Sequence, residues 1–277
     1  MPSRILPALC TLDDALQALG HRDDPQAKTP ASAILTLAIL AAMERGGKHN
    51  KALALAQDLK RFTHIPSPSR FHRRLHALSP LLLPLHYLLA QVWKNLHQAQ
   101  ACALDTFPLP VCENIRAPRA RPFPDGVYRG FIPRERVPFH GLKHHLRVDD
   151  GKSLHEVNLT PGSPHGLTPF LLLPLELPEG AERYLDRGYE RHLHEDLLKE
   201  AQGLVPMGIR RGKGRRYVPW PQYLAVVGRR VVETVGSTLH ASFPRRVRAV
   251  TQEGFVMEVR SFVLAQNLGL MVQRMLG

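Results

Sequence analysis

The sequence predicts an α/β protein: a mixed sheet flanked by helices, preceded by an all-helical N-terminal domain. Helical periodicity dominates residues 1–99. After residue 100, short apolar runs bounded by turn residues form first an antiparallel group and then alternate with helices, the pattern of a mixed sheet. A chain of 277 residues is long enough to bury the cores of two modest domains.

The first helix is expected in "TLDDALQAL", with Thr11 as N-cap and Leu12, Leu16 and Leu19 on one face. "ASAILTLAILAAMERGG" is apolar nearly all round, which predicts a buried central helix stopped at Gly46 and Gly47. "NKALALAQDLKRF" and "SPSRFHRRLHAL" follow as a helix-turn-helix-like pair over residues 50–78. In its second helix Phe71, Leu75 and Leu78 share a face while Arg70, Arg73 and Arg74 project to the sides, suited to phosphates or base edges. A solvated basic face would look the same. "LLLPLHYLLAQVWKNLHQAQ" completes the helical part, with Pro84 near its start.

The second domain is expected over residues 100–277. "CALDTFPLPV" reads as a strand and "GLKHHLRVDDGKSLHEVNLTPG" as a hairpin turning at "DDGK". "RYLDRGY" is a further strand, "HLHEDLLKEAQG" a helix stopped at Gly203, "LVPMGI" a strand and "QYLAVVGRRVVETVGSTLHASF" a closing helix. Between the first strand and the hairpin, residues 113–141 carry six arginines and five prolines without periodicity, which predicts a loop-rich basic insertion.

Lys and Arg number 37 against 24 Asp and Glu, a net charge of +13 that points to a polyanionic partner. The apolar stretch Ala33–Met43 is shorter than the ~20 residues of a membrane span, and the N-terminus lacks a secretory pattern. A cytoplasmic, nucleoid-associated protein with no membrane partner is therefore expected. Three cysteines are too few for a disulfide framework or a four-cysteine zinc site and are read as small buried hydrophobes. His192 and His194, two residues apart with no nearby cysteine, make zinc a poor fit.

One acid is out of place. Asp105 sits in the apolar strand "ALDTFPLPVC", where an ionised carboxylate needs a cation. Asp186 ends the later strand "RYLD", and Glu233 lies within the helix "RRVVETV". Singly, Asp186 could begin a turn and Glu233 could pair with Arg229 one helical turn earlier. Together, acids on a central strand, at the end of a later strand and on a helix against the sheet can converge. Their mutual repulsion would be relieved by divalent metal. Paired Mg²⁺ ions on oxygen ligands suit displacement at a phosphodiester.

The segments "ALDTFPLPVC", "FHGLKHHLRVD", "LTPGSPHGL", "LDRGY", "RRVVETVGSTL" and "SFVLAQNL" together resemble bacterial insertion-sequence transposases of the DDE type, in particular the group typed as insertion sequence nine-eight-two. The resemblance runs through nearly all of residues 70–268. It implies a ribonuclease H-like catalytic domain with a triad of Asp105, Asp186 and Glu233 holding two Mg²⁺, for which Mn²⁺ can substitute. Such enzymes hydrolyse a phosphodiester at the element's end, and the freed 3′-hydroxyl then attacks target DNA. Terminal inverted repeats and target DNA would be the partners, and a homodimer would join two element ends. Of a Tyr, Arg, Glu, Lys signature around the third acid, the sequence keeps Arg229 and Glu233. Val226 and His240 replace the Tyr and Lys, and Gly236 stands where an aromatic is usual.

Within this reading the DNA-facing set comprises Arg70, Arg73 and Arg74, Lys143 on the hairpin, Arg210, Arg211, Lys213, Arg215 and Arg216 in "RRGKGRRY", and Arg229, Arg230 and His240. A decayed or co-opted DNA-binding protein without catalysis is the alternative, motivated by the departures around Glu233.

Overall fold

The structure, a computed structural model, describes residues 2–97, 99–112, 117, 122–132, 135–163, 182–185, 205–208, 219–243 and 249–275. These fall into two compact units, residues 1–93 with 239–277, and residues 94–238.

The first unit is helical. Helix α1 spans Pro2–Ala18 and α2 Ala31–Arg45; α3 spans His49–Leu59 and α4 Pro68–Leu78. A 3₁₀ turn at Ser79–Leu81 leads into α5, Leu82–His97. Helix α2 is the expected central helix: every residue from Ala31 to Ala42 is buried. It stops as expected, because Gly46 and Gly47 adopt positive φ and Gly47 N–H donates to the Ala41 carbonyl, satisfying an orphan acceptor of the last turn. Phe71, Leu75 and Leu78 are buried along α4 as the periodicity requires.

Three expectations need correction here. Thr11 lies inside α1 rather than capping it, and Leu19 falls beyond the helix end and is exposed. The division at residue 99 also shifts. A second long helix, α7 (Gln252–Met275), packs on α2 and α1, so the chain's end belongs to the helical unit and not to a domain running from 100 to 277. Finally, Ala33–Met43, too short to span a membrane, is not the longest apolar helical stretch: among the described residues two others are long and apolar enough. Pro68–His97 and α7 both qualify, although the first is broken by the 3₁₀ turn and 67% of the apolar window of α7 is buried, as in a core helix.

The second unit is a mixed α/β structure. Its strands are β1 (Ala101–Cys112), β2 (Arg129–Ile132), β3 (Val137–Asp149), β4 (Leu154–Pro161), β5 (Glu182–Leu185) and β6 (Val205–Gly208), followed by helix α6 (Pro219–Ser242). The sheet order is β2-β3-β1-β5-β6, with β4 also paired to β3. Strands β1 to β4 pair antiparallel, and β5 and β6 continue the sheet parallel to β1. β1 is thus a central strand, buried by neighbours on both edges.

The hairpin turns at Asp149–Ser153, as "DDGK" predicts, with Lys152 in the left-handed region. The Asp149 carboxylate holds this turn by accepting from Ser153 N–H at 2.7 Å and contacting His155 Nε2 at 2.7 Å. Part of the insertion at 113–141 is ordered sheet rather than loop. β2 pairs with the start of β3, and Phe123 and Phe139 are buried beside Tyr128 and His140. Of the cysteines only Cys102 is buried; Cys112 is half-buried and Cys10 exposed. The helix expected over "HLHEDLLKEAQG", including His192 and His194, lies outside the described residues.

Candidate active site

Alternation along β1 sets Asp105 and Phe107 on one face and Thr106 on the other. Helix α6 covers the Asp105 face, burying Val232 and Val235 against the sheet. Two glycines let it approach closely. A Cβ on Gly236 would stand 2.1 Å from Cζ of Phe107, and one on Gly228 would stand 2.3 Å from Cε2 of Tyr184 on β5. The aromatic rings occupy the space that side chains would fill. Gly236, which stands where the resemblance implies an aromatic, is thus the socket for Phe107.

That packing brings two of the three acids together. Arg229 Nη2 donates to Asp105 Oδ2 at 2.9 Å and lies 3.6 Å from Glu233 Oε1, one helical turn further along. Both carboxylates are therefore within reach of one guanidinium nitrogen. Asp105 and Arg229 are 14% and 12% exposed, whereas Glu233 is 55% exposed, so the pair at the sheet is sheltered and the third member faces solvent. Asp105 Oδ1 also accepts from Thr106 N–H at 2.8 Å. The cation demanded by a buried-strand acid is supplied by Arg229. In this structure the Arg229 guanidinium, expected to face DNA, is engaged with the two acids.

Asp186 lies outside the described residues. Its strand is described up to Leu185, and the parallel ladder pairs Ala103 with Tyr184. Asp105 and Asp186 each follow their member of that pair by two positions in the sequence. The Tyr184 hydroxyl donates to Glu182, and burial first, then this hydrogen bond, raises its pKa. Among the described residues no group of three or more His, Cys, Asp or Glu could hold a metal ion. Asp105 and Glu233 are two hard oxygen donors of the kind Mg²⁺ prefers, and the guanidinium already between them shows that their surroundings suit positive charge.

The opposite face of the sheet carries a separate polar chain. Thr106 Oγ1 is hydrogen-bonded to His145 Nδ1 at 2.9 Å, and His145 Nε2 to Thr160 Oγ1 at 2.8 Å. Burial, then nearby Lys143, lowers the His145 pKa to about 4, so the ring is neutral at pH 7. Burial also lowers the pKa of Lys143, whose Nζ sits 3.5 Å from the Ser163 carbonyl. Lys143 belongs to this face and does not join Asp105.

The other basic candidates divide. Arg70 and Arg73 are exposed along α4, as expected of residues available to a phosphate. Arg74 is not: it donates to the Thr29 carbonyl and pairs with Asp23 at 3.2 Å, while Asp23 accepts from Ala31 N–H at the start of α2. It ties α4 to α2. Arg230 is exposed on α6, and His240 lies in the last turn of that helix, its side chain outside the described set. Arg210, Arg211, Lys213, Arg215 and Arg216 are likewise outside the described residues.

Sequence reasoning missed the Arg229–Asp105 pair, the glycine sockets and an exposed Trp220–Tyr223 ring pair at the start of α6. The available signal was Gly228 and Gly236 themselves, two weak helix formers inside an otherwise helical pattern. Comparison of the chain with protein-family models, with curated proteins and with solved structures finds no match.

Proposed function

We propose that the protein is a metal-dependent transposase of the DDE type that cuts and joins DNA strands, with Asp105, Asp186 and Glu233 as its metal-holding acids. The observation that carries the reading is the convergence of Asp105, from a central strand, and Glu233, from a helix, on one cation. An acid in an apolar strand is costly unless the site is built to hold positive charge. The position of Asp105 and Asp186 in the sequence, each two residues past the paired Ala103 and Tyr184, and the net charge of +13 support the same reading. A ribonuclease H-like domain is the finer fold this implies, with α1 to α5 as its DNA-binding partner region.

In the reaction, water attacks the phosphodiester at the element's end and the bond to the 3′-oxygen breaks, leaving a 3′-hydroxyl and a 5′-phosphate. The hydroxyl then attacks a target phosphodiester, exchanging one such bond for another. When bound, two Mg²⁺ or Mn²⁺ ions would stabilise the attacking and leaving oxygens. The protein's own groups set the stage. Asp105 and Glu233 would be the ligands, and Arg229 holds them together beforehand, becoming available to a phosphate when metal takes its place. A homodimer acting on the DNA of the cytoplasmic nucleoid fits the joining of two element ends.

A second reading, a DNA-binding protein without catalysis, has the occupation of both acids by Arg229 in its favour. The two are separated by incubating the full chain with DNA carrying the inverted repeats that flank its reading frame. Catalysis predicts 3′-hydroxyl nicks and strand-transfer products in Mg²⁺ or Mn²⁺ and none in chelator. Tight, sequence-dependent binding with no cleavage in either ion decides for the second reading.

A further inference from the structure

Helix α6 has two faces of different character. One is buried on the sheet through Gly228, Val232, Val235 and Gly236. The other leaves Trp220 66% and Tyr223 59% exposed, their rings stacked with centroids 5.7 Å apart and planes 24° from parallel. Val227 and Arg230 continue the same exposed stripe at helical spacing. Large aromatics left open to water together, with a cation about two turns further along the same stripe, mark a binding surface rather than chance exposure.

The charge of the sequence that precedes and includes them selects the occupant. From residue 201 to residue 232 the chain carries seven Lys and Arg and no Asp or Glu, five of those cations falling between Arg210 and Arg216, just ahead of Trp220. At this face a second copy of this chain, presenting the same basic segment, would be repelled. A polyanion is required, and one with flat apolar faces to offer. Duplex DNA hides its base faces in its own stack, whereas single-stranded DNA exposes them.

We infer that Trp220 and Tyr223 form a stacking platform for unpaired bases of single-stranded DNA, with Arg230 positioned for its backbone. The inference rests on the proposed DNA reading for the identity of the polyanion. Tyr223 precedes Glu233 by ten residues, about 15 Å of helix rise. A platform there would hold a few unpaired nucleotides beside the strand to be cut.

The full chain is titrated in chelator with a labelled twelve-nucleotide oligothymidylate and with a twelve-base-pair duplex, followed by anisotropy. Trp220→Ala weakens single-strand binding about tenfold or more, with a larger loss when Tyr223→Ala is added, while Trp220→Phe retains most of it and duplex affinity stays within about twofold. In a Trp93→Phe background Trp220 is the sole tryptophan, and its emission is quenched by the single strand and not by the duplex. Unchanged single-strand affinity, equal losses for both DNAs, or loss of self-association in Trp220→Ala overturns the platform. Chelator keeps the measurement apart from chemistry. Absent metal-dependent cleavage with a normal Trp220 response strikes the proposed activity alone, and the reverse strikes the platform alone.

Discussion

Gly236 shows how much a single missing side chain can organise. A glycine in a helix interior costs ~1 kcal/mol relative to alanine, yet α6 carries Gly228 and Gly236 on its sheet-facing side. Each admits an aromatic ring, and the resulting closeness is what lets Arg229 reach Asp105. Gly236→Ala therefore gains helix propensity and loses more through overpacking against Phe107, because β1 is held on both edges and cannot retreat. The expected result is a net loss of roughly 1–2 kcal/mol in denaturant unfolding, largely restored by adding Phe107→Leu. A stabilised single variant would show that the ring is not seated there. At this scale Asp105 was legible, because an isolated carboxylate in an apolar strand breaks a strong rule. Its partner was not: sequence spacing offers Arg229 only the local neighbour Glu233, and the longer-range pair exists only once the helix lies on the sheet.

At the scale of elements, the strands with turn chemistry at their ends were readable, and those without it were not. The β3–β4 hairpin announces itself at "DDGK", whereas β2 is four residues in a proline- and arginine-rich segment whose pairing is decided by β3. Helix α7 was missed because Phe255, Val259, Phe262, Val263 and Leu268 are buried around much of its circumference, which erases the one-sided pattern of a surface helix. Within it Glu258 lies 3.7 Å from His49 of α3, with His72 and His76 near that ring. Burial raises the Glu258 pKa to about 7 and, with smaller contributions from His72 and His76, lowers that of His49 to about 4. Both groups thus favour their neutral forms. Stability contributed by Glu258 is complete below its unfolded value of 4.5 and is lost as pH rises through about 7. That of His49 is complete above 6.5 and is lost as pH falls toward 4. Glu258→Gln removes the first dependence. Its Tm should therefore gain on the wild type as pH rises from 4.5 to 8, and a difference independent of pH would contradict the assignment.

At the scale of the molecule, the alternation of strands and helices after residue 100 conveyed the mixed sheet and its sequence order. The division into units was harder to read. Nothing in a buried helix such as α7 states which core it joins, and proximity in sequence to α6 suggested the sheet, while packing assigns it to α1 and α2. The excess of positive charge was plain, but which cations are available was not, since Arg74 and Arg229 are both engaged within the fold. The central claim is that Asp105, Asp186 and Glu233 serve one metal-dependent reaction on DNA. Asp186→Asn tests it most directly, with Mg²⁺-dependent nicking and DNA affinity measured on the same preparation. The account predicts a fall in nicking of more than about a hundredfold, the loss of a metal ligand exceeding that of an outer-shell partner, with DNA affinity kept within about twofold. Nicking retained at the wild-type rate by a folded Asp186→Asn protein would contradict it.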